Sequence, residues 1–364
     1  MTTFEPFSSF DIHMAHSATT SCNESDCRSV SEVVAHSWWR AAISVVLLLV
    51  MAGLSAADDE VFAHLLGDES SSPAPRGKIV FASDRDGDFD LFMVRADGSH
   101  RRKLTHNRKD DLSPSWAPGG RRIVFSREVS ELNEEIFILN LRSGHERRVT
   151  RAAYADHHPD WGPRKNWIVY AAGDAYTDGA DLVLRRLTNK KRRYIWAPAE
   201  NDVNEEPFWS PDGRRIAFGV EWDGSYIAIA RFCCRGDSKV LVSHKYYGPS
   251  DTNPAWSPDG NTILFASDRA DDPGESAEVE TDYDLYLVDS DGSDMRILEG
   301  ESWHSLSGTW SPDGAWIAFY SDEQGSNDLY LITSDGGDIK QLTDHPREEI
   351  QPDWFVPSAT GSPT

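Results

Sequence analysis

Short alternating strands separated by turn residues recur along the chain with a period of about 47 residues. A repeat typically begins with a Pro-x-Trp segment, and at Trp209, Trp256 and Trp310 it passes through a Ser-Pro-Asp-Gly turn into an Ile-x-Phe strand, with variant turns after Trp116 and Trp161. Alternating segments such as 284–288 follow, and the repeat ends in Leu-Thr or its equivalent. In the turn, proline fixes φ and glycine accepts a positive φ. Four short strands in each repeat predict a propeller blade and exclude a helical solenoid.

Six tryptophans mark the repeats, and they fix how many blades the chain can make. They are Trp116, Trp161, Trp209, Trp256, Trp310 and Trp354. The strand at 78–83 begins a blade without a tryptophan strand before it, whereas Trp354 lies in a first strand without a blade after it. Pairing of 350–355 with 78–83 would remove both free edges. The predicted fold is therefore all-β: a six-bladed β-propeller of four-stranded antiparallel blades, closed by the C-terminal strand pairing with the first blade.

An uncharged apolar run precedes the repeats and predicts export. Residues 41–57 contain no charged side chain and end in small residues. The pattern leaves two alternatives, a signal peptide with its cleavage site or an uncleaved membrane anchor. Both place the rest of the chain outside the cytoplasm, periplasmic or secreted, and both limit membrane contact to this segment. The predicted organisation is an N-terminal segment 1–40, the apolar run 41–57, a linker 58–76, the propeller 77–356 and a C-terminal tail 357–364.

Charge and composition narrow the classes of partner. The chain has 36 Lys and Arg against 60 Asp and Glu, a formal net charge of −24. Nucleic acid is excluded as a partner because binding to phosphates requires a basic footprint. Hydrophobic residues make up 39% of the chain, which is enough for a core and excludes a disordered acidic tail.

The repeat residues resemble those of a known family. Trp310-Ser-Pro-Asp-Gly-x-x-Ile-Ala-Phe, Asp-Gly-Asp-Phe-Asp-Leu-Phe at 86–92 and Leu-Thr at 104–105 are similar to the WD40-like (PD40) repeat of TolB-type propellers. The resemblance implies a six-bladed extracytoplasmic propeller. In TolB itself, the propeller binds a peptidoglycan-associated lipoprotein at one mouth of its channel. TolB also carries an α/β domain where this chain has the linker 58–76, so the resemblance covers the propeller only and leaves the partner open.

Two sets of residues are predicted to surround the central channel. The first ring stands five residues before each tryptophan and comprises Asp111, Asp156, Asn204, Asp251, Ser305 and Glu349. The second ring stands three residues before each tryptophan and comprises Ser113, His158, Glu206, Asn253, Ser307 and Gln351. Because the strand that carries them is innermost and residues two apart share a face of a strand, both rings are expected at one channel mouth.

Such a mouth would be acidic, with His157 beside it and Trp303 as an aromatic contact. An acidic funnel attracts a cation or a basic peptide. The predicted function is therefore a non-catalytic scaffold, a monomeric propeller that binds an envelope protein or a basic peptide. We predict no cofactor, with calcium in the channel left open.

The alternative is a metal-dependent, lyase-like carbohydrate-active propeller. Its histidines would have to converge, but only His158 and Gln351 share a ring, while His106, His304 and His345 stand at other offsets.

Overall fold

The computed structural model describes residues 72–164, 166–174, 179–196, 203–221, 225–232, 238–242, 249–269, 282–299 and 304–356. The apolar run 41–57 and Trp303 lie outside these ranges, so their predicted roles stay predictions. The secondary structure of the described residues consists of β-strands. Among them, no helix is long and apolar enough to cross a membrane.

The strands follow one another in chain order, and each blade takes four of them. The first half comprises β1 (Lys78–Ser83), β2 (Asp90–Arg95), β3 (Arg102–Lys103), β4 (Asp111–Trp116), β5 (Arg122–Ser130), β6 (Asn133–Asn140), β7 (Glu146–Arg148), β8 (Asp156–Trp161), β9 (Trp167–Asp174), β10 (Gly179–Arg186), β11 (Arg192–Trp196) and β12 (Val203–Trp209). The second half comprises β13 (Arg215–Glu221), β14 (Ser225–Arg231), β15 (Ser238–Val242), β16 (Asp251–Trp256), β17 (Thr262–Ser267), β18 (Asp284–Asp289), β19 (Arg296–Glu299), β20 (Ser305–Trp310), β21 (Trp316–Ser321), β22 (Asp328–Thr333), β23 (Ile339–Gln341) and β24 (Glu349–Phe355).

Six four-stranded antiparallel blades form a ring, as predicted. Blade 1 has the order β24-β1-β2-β3, and blades 2 to 6 begin with β4, β8, β12, β16 and β20 as their inner strands. One parallel pairing, between Ala180 and Val203, joins blades 3 and 4. The repeat pattern therefore gave both the number of blades and their strand count.

The ring closes where the sequence predicts. β24 pairs antiparallel with β1, with Ile79 opposite Trp354 and Ser83 opposite Glu349. The last strand thus completes the first blade, and neither strand is left as a free edge.

The Ser-Pro-Asp-Gly turns have the predicted geometry. In blade 4, the N–H of Gly213 donates to Ser210 O at 2.8 Å. The Ser210 hydroxyl donates to Asp212 Oδ1 at 2.6 Å. Gly213 has a φ of 64°, a conformation that favours glycine. The turn is therefore fixed by its own side chains and sends each inner strand back along the blade.

The core lies between adjacent blades. Ile79 and Phe81 of blade 1 pack with Trp316 and Leu329 of blade 6 and with Trp354. Trp354 is 5% exposed and Trp316 is 1% exposed. Because burying a large apolar side chain stabilises a fold by about 2–3 kcal/mol, the recurring tryptophans help to hold neighbouring sheets together.

Candidate functional site at the central channel

The inner strands share a bulge at the second ring. All six second-ring residues have a positive φ, with values of 49° for Ser113, 45° for His158, 52° for Glu206, 54° for Asn253, 51° for Ser307 and 55° for Gln351. The pairing of each inner strand with its neighbour shifts register around this position, as between Leu112 and Ser115 in blade 2. An extra residue of this kind bends a strand and re-aims the side chains around it.

The bulge brings the second ring together at the channel. A cavity of about 100 Å³ is lined by the six second-ring residues and by the residues that follow them on each strand. The sequence therefore identified one complete ring of channel-lining positions.

The first ring lies elsewhere, which corrects the expectation that it also stands at the mouth. Its six members are 0–2% exposed, and none lines the cavity: Asp111, Asp156, Asn204, Asp251, Ser305 and Glu349. The expectation assumed a regular strand, in which residues two apart share a face. The bulge breaks this alternation, so that the first ring turns into the blades while the second ring faces the channel.

Three first-ring carboxylates are paired with arginines of their own blades. Asp111 receives two bonds from Arg127, Nε to Oδ1 at 2.5 Å and Nη2 to Oδ2 at 2.8 Å. Burial alone would lower the pKa of Arg127, but its bonds to Asp111 and Glu146 raise it above its ordinary value. Equivalent ion pairs join Asp251 to Arg269 and Glu349 to Arg85. These carboxylates are therefore held in ion pairs inside their own blades.

The remaining first-ring residues are also buried. Burial raises the pKa of Asp156 to about 6, although a bond from Thr150 opposes the shift. Asn204 Nδ2 donates to Ala180 O at 2.7 Å. Ser305 is fully buried.

His157 is also away from solvent, which differs from its predicted place beside an open mouth. Its side chain is 8% exposed, and its ring meets the His158 ring edge-on, with the two Nδ1 atoms 3.0 Å apart. Burial, followed by the charge of His158, lowers the pKa of His157 to about 3. His157 is therefore neutral near pH 7, and its contact with His158 fixes that side chain at the cavity.

Two carboxylates that the sequence analysis did not single out also line the cavity. Asp160 and Asp353 each stand one residue before a tryptophan. The backbone N–H of Trp209 donates to Asp160 Oδ2 at 2.8 Å, and that of Trp116 donates to Asp353 Oδ2 at 2.6 Å. Each carboxylate thus ties its inner strand to that of the next blade.

Burial raises the pKa values of both carboxylates. Loss of hydration raises the pKa of Asp160 to about 6, against the opposing bonds from Trp209 and Ser115. It raises the pKa of Asp353 to about 7, where the nearby charge of Asp160 adds to the effect. A cation in the cavity would favour the ionised form of both groups, because opposite charges lower carboxylate pKa values.

Second-ring side chains also bridge adjacent blades. Glu206 Oε2 accepts from the backbone N–H of Asn253 at 2.6 Å and from the Thr252 hydroxyl at 2.7 Å. Gln351 Oε1 accepts from the backbone N–H of Ser113 at 2.8 Å. The ring is therefore pre-organised by contacts between its own members.

No group of three or more His, Cys, Asp or Glu side chains in the described part of the chain is placed to hold a metal ion. Asp160 and Asp353 already accept backbone N–H groups. Calcium in the channel therefore stays a sequence-based prediction.

Comparison with known proteins agrees with this architecture. No protein-family model matches the chain. A stretch of 74 residues is 35% identical to a TolB homologue of Chlorobium luteolum, covering 20% of this chain and 17% of that protein. TolB from Acinetobacter baumannii has a TM-score of 0.64 at 17% identity, over 81% of this chain and 70% of that one. An oligogalacturonate lyase in complex with manganese has a TM-score of 0.51 at 16% identity, over 74% of each chain.

The fold and its channel define the class: a closed six-bladed β-propeller. Within that class, the chain resembles TolB-type propellers in a stretch of its sequence and in its fold, which confirms the resemblance of the repeats. The matched stretch spans about a sixth of that curated relative's length, so what TolB proteins bind belongs to the proposal below.

Proposed function

We propose that this propeller is a non-catalytic scaffold of the cell envelope that captures a basic segment of a partner protein at the channel cavity. The observation that carries the proposal is the cavity's lining, which contains three carboxylates, Glu206, Asp160 and Asp353, and no lysine or arginine. A carboxylate-lined recess favours an ammonium or guanidinium group, which can replace its missing counter-charge.

The size of the cavity also favours a protein partner. Pockets for drug-sized molecules typically measure about 300–1,000 Å³, several times the 100 Å³ found here. One long side chain or a chain terminus suits this volume better than an oligosaccharide does. The remaining partner surface would then lie on the rim of the channel.

Export of the chain is part of the proposal. The apolar run 41–57 would direct it across a membrane, and a TolB-like fold is in keeping with a periplasmic or secreted location. Cleavage of the run and its retention as an anchor would both export the propeller, which begins at 77.

The alternative is a metal-dependent lyase-like enzyme. Its support is the similarity to the manganese-bound oligogalacturonate lyase, and an identity of 16% shows a shared fold only. Metal analysis of the purified full chain would favour the enzyme if it found a stoichiometric divalent ion that His158→Ala removes.

The test is capture of partners from an envelope extract by the immobilised full chain, with identification by mass spectrometry. We expect the double variant Glu206→Gln and Asp353→Asn to lose the proteins that the parent chain retains. Glu131→Gln, an equivalent change at an exposed carboxylate, should retain them. Equal capture by all three chains would contradict the proposal.

A further inference from the structure

A second cavity is lined by cationic side chains, in contrast to the acidic channel. It measures about 300 Å³ and lies against β7 of blade 2 and β10 and β11 of blade 3. Besides Val149 and Leu187, every residue that lines it is cationic: Arg147, Arg148, Arg151, Arg185, Lys190 and Arg192. We call this cavity the basic crevice.

The basic crevice concentrates positive charge in a chain of net charge −24. Residues 185–193 read Arg-Arg-Leu-Thr-Asn-Lys-Lys-Arg-Arg, six cations without an acid. Residues 147–151 add three more. Such a cluster creates a local positive potential on a protein that is negative on average, and this potential attracts anions to the cluster.

Most of these charges have no carboxylate partner among the described residues. Arg148 pairs with Glu135 at 2.9 Å. The neighbouring acid Glu146 is taken by Arg127 at 2.5 Å. No described carboxylate lies within 4.0 Å of the charged atoms of the other five lining residues.

The cations also face one another. Arg185 and Arg192 are direct cross-strand neighbours in β10 and β11. Like charges in such positions destabilise a sheet. Burial, followed by the charge of Arg147, lowers the pKa of nearby Arg122, which is a second sign of crowded positive charge. The buried carboxyl of Asp156, whose pKa burial raises to about 6, interacts electrostatically with Arg192 and Arg185 and offsets part of their charge at neutral pH.

Neighbouring arginines of the same basic run have a different use. The Arg193 guanidinium donates to Phe232 O at 2.8 Å, and Arg186 lies over the Trp167 ring at 6.0 Å. These two pack against the protein, whereas Arg185 and Arg192 line the crevice. The alternation of strand side chains thus divides the run into a packing set and a set turned to the cavity.

We propose that the basic crevice binds a phosphate-bearing anion, which would be neutralised by the five lining cations that form no salt bridge within the described part of the chain. A planar guanidinium can donate to two phosphate oxygens at once. A multivalent anion also neutralises more of the clustered positive charge than a single carboxylate does. The phosphate could be carried by a free compound or by a lipid headgroup, which offer the same chemistry to the crevice.

Calorimetric titration of the full chain with inorganic pyrophosphate tests the proposal. We expect saturable binding of one pyrophosphate, together with a rise in Tm, because a ligand that binds only the folded state stabilises it. The double variant Arg151→Gln and Arg192→Gln should weaken binding by about 100-fold, a loss of about 2.7 kcal/mol, because each arginine would supply a charge-assisted hydrogen bond to the anion. Both arginines are exposed, so the variant should keep its fold.

The matched control is Arg108→Gln with Arg296→Gln, two exposed arginines outside the crevice. It removes the same charge and should change the affinity by less than about twofold. Absence of saturable binding, or an equal loss in the control, would overturn the proposal.

Vesicles distinguish the two phosphate sources. Flotation with phosphatidylcholine vesicles containing one-fifth phosphatidylglycerol, lost in the crevice variant, would support a headgroup. Pyrophosphate binding without flotation would support a free phosphate compound. Either result upholds the crevice, and partner capture at the channel is independent of both.

Discussion

The first and second rings lie two residues apart on the same six strands, yet they have opposite surroundings. Asp111 is buried and accepts two hydrogen bonds from the Arg127 guanidinium, whereas Ser113 lines the channel cavity. The same contrast separates Glu349 from Gln351. One bulged residue with a positive φ separates buried ion pairs from the surface that lines the channel. Charge at a channel end therefore indicates function only after the backbone shows which way each side chain turns.

The largest expected effect breaks the first ring. Arg127→Ala leaves Asp111 buried without its partner, and breaking a buried pair typically costs about 3–5 kcal/mol. Denaturant unfolding should show a loss of this size. Lys109→Ala, which removes the exposed Lys109–Glu128 pair at 2.8 Å, should cost less than about 1 kcal/mol. Similar losses for the two variants would show that the first ring has no special structural role.

The next effect concerns pH. Asp160 and Asp353 keep their protons to about pH 6 and 7 in the folded protein but lose them near pH 4 when unfolded. Their contribution to stability is therefore full below pH 4 and is lost as pH rises, up to about pH 6 for Asp160 and about pH 7 for Asp353. Between pH 4 and those limits, each group should lower the free energy of unfolding by about 1.4 kcal/mol per pH unit.

Asp160→Asn combined with Asp353→Asn should flatten this part of the pH profile. The measurement is the difference in free energy of unfolding between parent and variant, followed from pH 4 to pH 8. A difference that does not change with pH would mean that both carboxyls are already ionised in the folded state.

A change confined to the second ring should separate binding from stability. Glu206→Gln removes the charge but keeps an oxygen that can accept from Asn253. We expect the free energy of unfolding to change by less than about 1 kcal/mol and partner affinity to fall by about tenfold. A large loss of stability with unchanged affinity would place Glu206 with the first ring instead.

The smallest expected effect concerns the bulge itself. Ser113 has a φ of 49°, which costs non-glycine residues about 1 kcal/mol. Ser113→Gly should therefore stabilise the protein slightly or leave it unchanged, whereas Ser113→Val should destabilise it, because β-branched residues tolerate this conformation poorly. Thermal unfolding of the two variants compares them directly, and equal Tm values would mean that the bulge relaxes easily.

The fold was predictable because its signal is local and repeated. Each Trp-Ser-Pro-Asp-Gly segment specifies one turn between two strands, and the unpaired strands at 78–83 and 350–355 specify closure. The second ring was also predictable, since positions counted from each tryptophan keep their place in every blade.

The rest of the site depended on backbone geometry and on long-range pairing. In the sequence, the bulge at Ser113 is marked only by the proline that follows it. A prediction based on regular strand alternation therefore placed the Asp111 side chain at the channel mouth instead of inside the blade. Arg127 follows Asp111 by 16 residues and Arg269 follows Asp251 by 18 residues, and this similar but unequal spacing is only a weak sign of pairing. Asp160 and Asp353 gave no such signal. The basic run 185–193 was visible in the sequence, but only the fold sets it beside 147–151.

The measurement that tests the account most directly is partner capture by two variants matched for folding. One carries Glu206→Gln in the second ring, and the other carries Asp251→Asn in the first ring, assayed at a temperature where both are folded. The account predicts that the second-ring variant loses the captured proteins while the first-ring variant keeps them. Loss by the first-ring variant alone would contradict it.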